Sequence, residues 1–184
     1  MIQIKSLSVG SRLLPLSFDL KPVLALSLPS SAEPHSAIVS EVLTEVSEML
    51  EISDKLHRSI QTLSGGEWQR VRLAGMCLQI WPSLNPYSKL LILDEPAAPL
   101  DIGQEALLYK LIERVAKQGI SVLMANHDLN RTLRHADQVL LLDKGVLQKV
   151  GTAEKVMVPE QLEQVFNTRI KSITVDDATY LLFE

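Results

Sequence analysis

Two adjacent carboxylates, Asp94 and Glu95, directly follow the unbroken apolar run Leu90–Leu93. Such a run predicts a strand covered on both faces, and the carboxyl ends of parallel strands are where α/β folds bind ligands. Asp94 would there have the chemistry to hold Mg²⁺, directly or through water, and Glu95 that to polarise an attacking water. A plain strand with an acidic turn is the alternative that the run alone leaves open.

A glycine-containing segment, Leu63–Glu67, precedes a predicted helix and reads Leu-Ser-Gly-Gly-Glu. Ser64, Gly65 and Gly66 would place a hydroxyl and backbone N–H groups at the positive end of the helix dipole, where phosphate oxygens bind. Ser64 and Glu67 also match a capping box, in which each side chain accepts the other residue's N–H. Both interpretations use the same geometry, so both stay open here.

His127 follows a second apolar run, Ile120–Ala125, and we expect it at the same end of the sheet as Glu95. An imidazole at this place could reach a terminal phosphate, and a purely structural histidine is the alternative. Asp101 is predicted to be the N-cap of the next helix. Arg70 and Arg72, in the helix after the glycines, could meet phosphate, but we expect them on a solvated helix face.

Composition limits the kinds of protein to which this chain can belong. The chain has 184 residues and a formal net charge of −4, which favours a single globular domain and argues against nucleic-acid binding. Cys77 is the only cysteine, so neither an intrachain disulfide nor a cysteine-based metal site can form, and a buried helical thiol is expected. We expect neither a signal peptide nor a membrane span, because the apolar runs are short.

The elements that must position these side chains alternate along the chain. Strands followed by helices between residues 89 and 143 predict a parallel α/β sheet. The other predicted strands and hairpins are Met1–Leu7, Leu13–Leu20, Val139–Val150, and Ile170–Phe183 with a turn at Asp176–Ala178. Predicted helices span Ile38–Leu50, Ser64–Ile80, Asp101–Gly119, Asp128–Ala136 and, weakly, Val156–Phe166, whereas Ser30–Ser36 is predicted to be a loop. Predicted buried stripes are Val71, Ala74 and Leu78 in the second helix and Leu108, Leu111, Ile112 and Val115 in the third.

Taken together and in this order, these segments resemble the ATP-binding cassette (ABC) ATPase family. Leu63–Glu67 resembles the signature motif, Leu90–Asp94 the Walker B strand and Leu100-Asp101 the end of the D-loop. The resemblance implies a P-loop NTPase-like α/β fold with a mostly parallel sheet, with ATP and Mg²⁺ as cofactors. It implies a catalytic glutamate at Glu95, a switch histidine at His127, a metal ligand at Asp94, and nucleotide contacts from Ser64, Gly65, Gly66, Glu67 and Asp101.

A closer resemblance is to the ATPase subunits of bacterial cobalamin (vitamin B12) importers, carried by residues 63–74 and 126–136. It implies coupling of ATP hydrolysis to cobalamin uptake, with membrane permease subunits and a second ATPase subunit as partners. It also implies a cytoplasmic location, peripheral to the inner membrane through those permeases.

One departure from the family is large. The sequence contains no Gly-x-x-x-x-Gly-Lys-[Ser/Thr] motif and no identifiable Q-loop glutamine, and Lys21-Pro22 runs directly into the apolar segment Val23–Leu28. The chain resembles a family member with an internal deletion near Pro22, and we expect it to be hydrolysis-defective. We expect one incomplete cassette domain over residues 1–184, with parts at 1–22, 23–88, 89–150 and 151–184. A degenerate docking or regulatory cassette and a non-functional deletion product are the alternatives.

Overall fold

The computed structural model describes residues 2–5 and 33–184, which fall into two compact units. The sheet unit consists of the described residues within 1–10, 90–98 and 119–184. The helical unit consists of the described residues within 11–89 and 99–118. The strand predicted at Leu13–Leu20 and the apolar segment Val23–Leu28 lie outside the described residues.

The sheet unit is built on five strands: β1 (Ile2–Lys5), β2 (Leu90–Asp94), β3 (Ser121–Ala125), β4 (Gln138–Asp143) and β5 (Val146–Gly151). They lie in the order β2-β3-β1-β4-β5. The pairs β2–β3, β3–β1 and β1–β4 are parallel, and only β5 is antiparallel to its neighbour. The predicted mostly parallel α/β sheet is therefore confirmed, and so is the β4–β5 hairpin, whose turn residues Lys144 and Gly145 have φ of 47° and 79°.

Strand β2 is not covered on both faces as its composition predicted. Leu91 and Leu93 are buried, whereas Leu90 and Ile92 are exposed, by 37% and 45%. The prediction was wrong because an unbroken apolar run does not reveal which faces find packing partners. β2 lies at the sheet edge, with β3 as its only described neighbour.

The rest of the sheet unit packs helices and a hairpin around one apolar cluster. The elements are α4 (Leu129–His135), α5 (Ala153–Val156), α6 (Pro159–Phe166), β6 (Ile170–Val175) and β7 (Ala178–Phe183). The cluster contains Leu129, Val139, Leu141, Ala153, Val156, Met157, Leu162, Ile170 and Leu181. The single helix predicted over Val156–Phe166 is wrong, because Pro159 has no N–H to donate and instead opens α6.

The closing hairpin turns over two residues rather than three. Asp176 and Asp177 have φ of 48° and 61°, and Ala178 already pairs with Val175. Aspartate tolerates this left-handed backbone better than most residues, so the pair completes the turn by itself.

The helical unit contains α1 (Glu33–Met49), α2 (Gly65–Ile80) and α3 (Ile102–Lys117). α1 buries Val42 and Val46, as its spacing predicted. It begins at Glu33, so the loop predicted at Ser30–Ser36 is wrong over its last four residues. Pro34 misled that prediction, because a proline is tolerated in the first turn, where its missing N–H would have had no partner.

The predicted buried stripe is correct for α3 but mostly wrong for α2. α3 buries all four predicted residues and Tyr109 as well, and Gly119 follows its end with φ of 85°. α2 buries Arg70, Leu73, Ala74 and Cys77, so only Ala74 of its predicted stripe is correct. The error arises because α2 is apolar on several sides, which makes its buried face ambiguous from the sequence.

Arg114 links the three helical segments. Its Nε lies 2.6 Å from Glu45 Oε1 of α1, and its guanidinium stands 5.9 Å from the centre of the Trp81 ring, just after α2. Within residues 2–5 and 33–184, none of the helices combines the length and apolar character needed to cross a bilayer.

Candidate functional site

Asp94 and Glu95 stand at the carboxyl end of β2, beside the carboxyl end of the neighbouring parallel strand β3. Asp94 is the last residue of β2 and pairs with Ala125, the last residue of β3. The backbone N–H of Glu95 donates to the Ala125 carbonyl at 3.1 Å. Both carboxylates therefore lie at the carboxyl ends of the strands, where α/β folds bind ligands.

The backbone at Glu95 is in the left-handed region, with φ of 41°. For a residue with a Cβ this conformation costs roughly 1–2 kcal/mol. Hydrogen bonds on both sides hold it, because the Glu95 carbonyl also accepts from Ala98 N–H at 3.2 Å in a tight turn. The turn leaves the Glu95 side chain 54% exposed beyond the strand end, and strain of this kind gathers at functional sites.

His127 lies beside Glu95, in the loop that joins β3 to α4. Its Nδ1 is 3.6 Å from Glu95 Oε1, and its side chain is 71% exposed. That distance is too long for a direct hydrogen bond, but it suits an ion pair when the imidazole is protonated. The two side chains thus share the sheet end on which the sequence placed them.

The loop that carries His127 is shaped by its two neighbours. Asn126 Oδ1 accepts from Asp128 N–H at 3.1 Å, and Asp128 caps α4 by accepting from Arg131 N–H at 2.9 Å. Asp128, rather than His127, is the N-cap. His127 therefore lies in the loop between β3 and α4 and does not cap the helix.

In the helical unit, the glycine-containing segment forms the capping box that its sequence suggested. Ser64 Oγ accepts from Glu67 N–H at 3.2 Å, and Ser64 N–H donates to Glu67 Oε2 at 2.8 Å. The Ser64 N–H, with smaller help from the Ser64 hydroxyl and Lys55, lowers the pKa of the Glu67 carboxyl below its usual value. Glu67 thus orders the start of α2 as a carboxylate.

Gly65 and Gly66 face different surroundings. A Cβ added at Gly65 would meet no atom of the described residues within 4 Å, whereas one at Gly66 would lie 2.3 Å from Gln104 Oε1. Gly66 therefore leaves room for the flexible end of the Gln104 side chain of α3, and Gly65 borders open space among the described residues. Ser64 and Gly65 are exposed. The capping box uses the N–H groups of Ser64 and Glu67, so a phosphate at the start of α2 would be met by the N–H groups of Gly65 and Gly66.

Asp101 is the N-cap of α3, as predicted, and its Oδ1 accepts from Gln104 N–H at 2.8 Å. Gln104 therefore connects the two helix starts, since its backbone meets Asp101 and its side chain meets Gly66.

The fit of Mg²⁺ is limited by the number of ligands. Within the described residues, no group of three or more His, Cys, Asp and Glu side chains is arranged to hold a metal ion. The exposed carboxylate of Asp94 fits Mg²⁺ as a single ligand, which is how this ion is often held when phosphate oxygens and waters complete its octahedron.

Sequence reasoning missed two residues near the signature segment. Arg70 was expected on a solvated face but is 7% exposed, and its Nε has no hydrogen-bond partner among the described residues. Lys55 lies 3.4 Å from Glu67 Oε1, although twelve residues separate them. No local sequence pattern predicts this contact, because it depends on how the turn after α1 packs against the start of α2.

Comparison with known proteins identifies relatives of high identity. A family profile described as ABC transporter matches residues 18–98. A vitamin B12 import ATP-binding protein of Vibrio atlanticus is 58% identical over 251 aligned positions that cover 100% of both chains. A protein of the same name from Vibrio campbellii is 60% identical over 166 residues, which cover 90% of this chain and 65% of the relative. The chain thus spans slightly less than two thirds of the length of several relatives that it matches.

The full-length alignment is longer than this chain. It extends over 251 positions against the 184 residues of this chain, a difference of 67. Because the alignment covers both chains completely, the 67 additional positions correspond to gaps within the sequence of this chain. This agrees with an internal deletion; its place near Pro22 remains a prediction.

Solved structures show the same fold at low identity. An ABC transporter assigned to the metal-chelate type, in an inward-facing conformation, matches with a TM-score of 0.63 and 22% identity, covering 84% of this chain and 59% of that one. The protein cbiO1 of Clostridium perfringens, part of the transporter complex cbiONQ, matches with a TM-score of 0.56 and 24% identity, covering 75% and 52%. At these identities the matches support the fold alone.

Proposed function

Because this chain belongs to the ATP-binding cassette (ABC) transporter family, we propose that it is the ATP-binding subunit of a vitamin B12 importer, reduced to part of the ATP site. The observation that carries the proposal is the pair formed by Glu95 and His127, 3.6 Å apart at the ends of adjacent parallel strands. A carboxylate can orient the attacking water and an imidazole can contact the terminal phosphate, and both are roles that serve phosphoryl transfer.

The remaining parts of the site follow from their positions. Asp94 would supply one Mg²⁺ ligand, and Ser64, Gly65 and Gly66 would present a hydroxyl and amides to phosphate. Glu67 would order those amides through the capping box, and Asp101 would order the start of α3. Mg²⁺ would neutralise the charge that develops on the phosphate oxygens. The residues of the chain would position the water and the phosphate around it.

The cargo and partners are inferred from the relatives. Proteins 56–60% identical to this chain are named vitamin B12 import ATP-binding proteins, and the ABC importer ATPase family works as dimers with membrane permease subunits. We therefore assign cobalamin as the cargo, and permeases and a second cassette as partners. Docking on those permeases would place the chain at the cytoplasmic face of the inner membrane.

The chain alone is expected to hydrolyse ATP at no more than the background rate. The amides and lysine that cradle the β- and γ-phosphates in P-loop NTPases come from a motif that its 184 residues do not contain. Losing a single donor to transition-state charge typically costs about 3 kcal/mol, or roughly 10²–10³ in rate, and here a whole set is missing. An intact cassette could instead provide the cradle, with this chain supplying Ser64 and the first amides of α2.

The test measures ATP turnover by the purified chain, by its Glu95→Gln variant and by the control Glu154→Gln, which changes an exposed glutamate of the same unit. We expect all three to show the same background turnover. ATP-dependent association is then measured between the chain and the intact Vibrio atlanticus relative. Turnover that Glu95→Gln abolishes and Glu154→Gln retains would refute the claim that the chain lacks a working cradle.

A non-hydrolysing docking cassette is the second candidate function. It is favoured by the absence of a Gly-x-x-x-x-Gly-Lys-[Ser/Thr] motif from the sequence, because without this motif the chain has no phosphate cradle of its own. Association with the intact relative that occurs equally with and without ATP would favour docking over a shared nucleotide site.

A further inference from the structure

A lysine outside the recognised motifs contacts the signature segment. Lys55 ends a short 3₁₀ turn, Ser53–Lys55, located between α1 and α2. Its Nζ lies 3.4 Å from Glu67 Oε1 and 2.5 Å from Asp54 Oδ2. The Lys55 and Glu67 side chains are 16% and 21% exposed, so the pair is shielded from much of the solvent.

The backbone around Lys55 is firmly anchored. Ile52 is fully buried, and its N–H donates to the Ser47 carbonyl of α1 at 2.9 Å. Ser53 Oγ donates to Ser47 Oγ at 3.2 Å, and Lys55 N–H donates to the Ile52 carbonyl at 2.8 Å. Because the end of α1 fixes the turn, the backbone that carries Lys55 is already ordered, and only its side chain has to be held against Glu67.

The charges around this contact alternate in sign. Arg58 lies 3.5 Å from Asp54. Lys55 lies 2.5 Å from Asp54 on one side and 3.4 Å from Glu67 on the other. Lys55 therefore contacts both carboxylates, more closely Asp54 than Glu67, and Arg58 is the second cation beside Asp54. The four side chains together carry no net charge.

This balance matters because Glu67 sits where an anion would bind. Its carboxylate accepts from Ser64 N–H at 2.8 Å, directly beside the exposed first amides of α2. A phosphate approaching those amides would meet the helix dipole, which attracts it, and the carboxylate, which repels it. Without a nearby cation the repulsion would offset much of the attraction.

We propose that Lys55 is a positioning residue that neutralises Glu67, so that the start of α2 can accept a phosphate of a nucleotide held by an intact cassette. The inference rests on the proposed function, because it presumes that this segment meets a partner's nucleotide. It adds a requirement for a cation on the 3₁₀ turn before α2.

The experiment measures association between the chain and the intact Vibrio atlanticus relative, with and without the non-hydrolysable analogue AMP-PNP and Mg²⁺. The variants are Lys55→Gln, Lys55→Arg, Glu67→Gln and the double variant Lys55→Gln/Glu67→Gln. Lys110→Gln removes an exposed lysine of α3 and serves as the control. Thermal unfolding of each variant separates loss of folding from loss of binding.

We expect Lys55→Gln to weaken the analogue-dependent association roughly three- to tenfold, the scale of one partly shielded charge contact. Lys55→Arg and Lys110→Gln should stay within about twofold of the unmodified chain. The double variant should bind within about twofold of Glu67→Gln alone, because removing the carboxylate removes the need for the cation.

The outcomes separate this inference from the proposed function. A double variant as weak as Lys55→Gln, or a Lys55→Gln variant as strong as the unmodified chain, overturns the role of Lys55 and leaves the shared nucleotide site standing. Absence of analogue-dependent association for the unmodified chain overturns the proposed function, and the inference with it.

Discussion

Replacing each signature glycine by alanine in turn should separate its structural role from its binding role. Gly65 and Gly66 are consecutive, and both lie in the first turn of α2. Within the part of the chain that the structure describes, a methyl group at Gly65 would meet no atom within 4 Å, whereas a methyl group at Gly66 would lie 2.3 Å from Gln104 Oε1. The same substitution should therefore act differently at two adjacent positions.

The expected stabilities follow from these distances. Alanine in a helix is favoured over glycine by about 0.5–1 kcal/mol, and Gly65→Ala should realise the lower end of that gain because it lies in the first turn. Gly66→Ala should gain as much, but it must displace the Gln104 amide at a cost of about 0.5–1.5 kcal/mol. The net change at Gly66 should be near zero or slightly destabilising.

The assay is urea and thermal unfolding of the unmodified chain, Gly65→Ala, Gly66→Ala, Gln104→Ala and the double variant Gly66→Ala/Gln104→Ala. For a chain of this size, 1 kcal/mol corresponds to about 2–4 °C in Tm. Removing the Gln104 side chain should restore the full gain of the alanine at position 66. In the association assay, Gly65→Ala should bind more weakly despite its greater stability, because its methyl group occupies the open approach to the amides.

Two results would refute this reasoning. A Gly65→Ala variant destabilised by more than about 1 kcal/mol would mean that the space before Gly65 is filled in solution. A double variant no more stable than predicted from its two single variants would mean that Gln104 does not contact Gly66.

Other predictions concern the two buried regions of the helical unit. Leu108→Ala should lower the free energy of unfolding by about 2–5 kcal/mol, measured by urea denaturation, because Leu108 is fully buried; Lys110→Ala, which changes an exposed neighbour, should alter it by less than about 0.5 kcal/mol. Burial raises the pKa of the Cys77 thiol from 9.0 to about 12, so iodoacetamide should alkylate it only after unfolding, and fast labelling of the folded chain at pH 8 would contradict its burial. Above pH 9 the unfolded thiol loses its proton while the folded thiol keeps it. Stability should therefore fall as the pH rises from 9 towards 12, by about 1 kcal/mol at pH 10, and Cys77→Ala should lack that part of the decline.

Motifs and periodic patterns were sufficient to predict the elements that carry the candidate site. The apolar runs Leu90–Leu93 and Ile120–Ala125, the second interrupted by Ser121, predicted two parallel strands. The residues that follow such strands necessarily lie at the same end of the sheet. The capping box at Ser64 and the N-cap at Asp101 are likewise local, since each joins residues three apart in the sequence. The family assignment, which the comparisons confirm, depended on the order of these same segments.

Predictions failed where the outcome depended on distant packing. Whether Leu90 and Ile92 would be covered depends on what lies against the sheet face, and which side of α2 is buried depends on α1 and α3. Arg70 was misplaced for the same reason. A run of apolar residues measures the tendency to be buried, but it does not indicate where the partners are.

The sequence by itself determined the types of the elements, the helix caps and the positions of the chemical groups along the chain, because these depend on interactions within a few residues. Only the tertiary structure decided that Lys55 reaches Glu67, that Gln104 fills the space beside Gly66, and that Glu95 and His127 stand 3.6 Å apart. These contacts join residues far apart in the chain, and their distances are set by how whole elements pack. Neither propensity nor spacing specifies that packing.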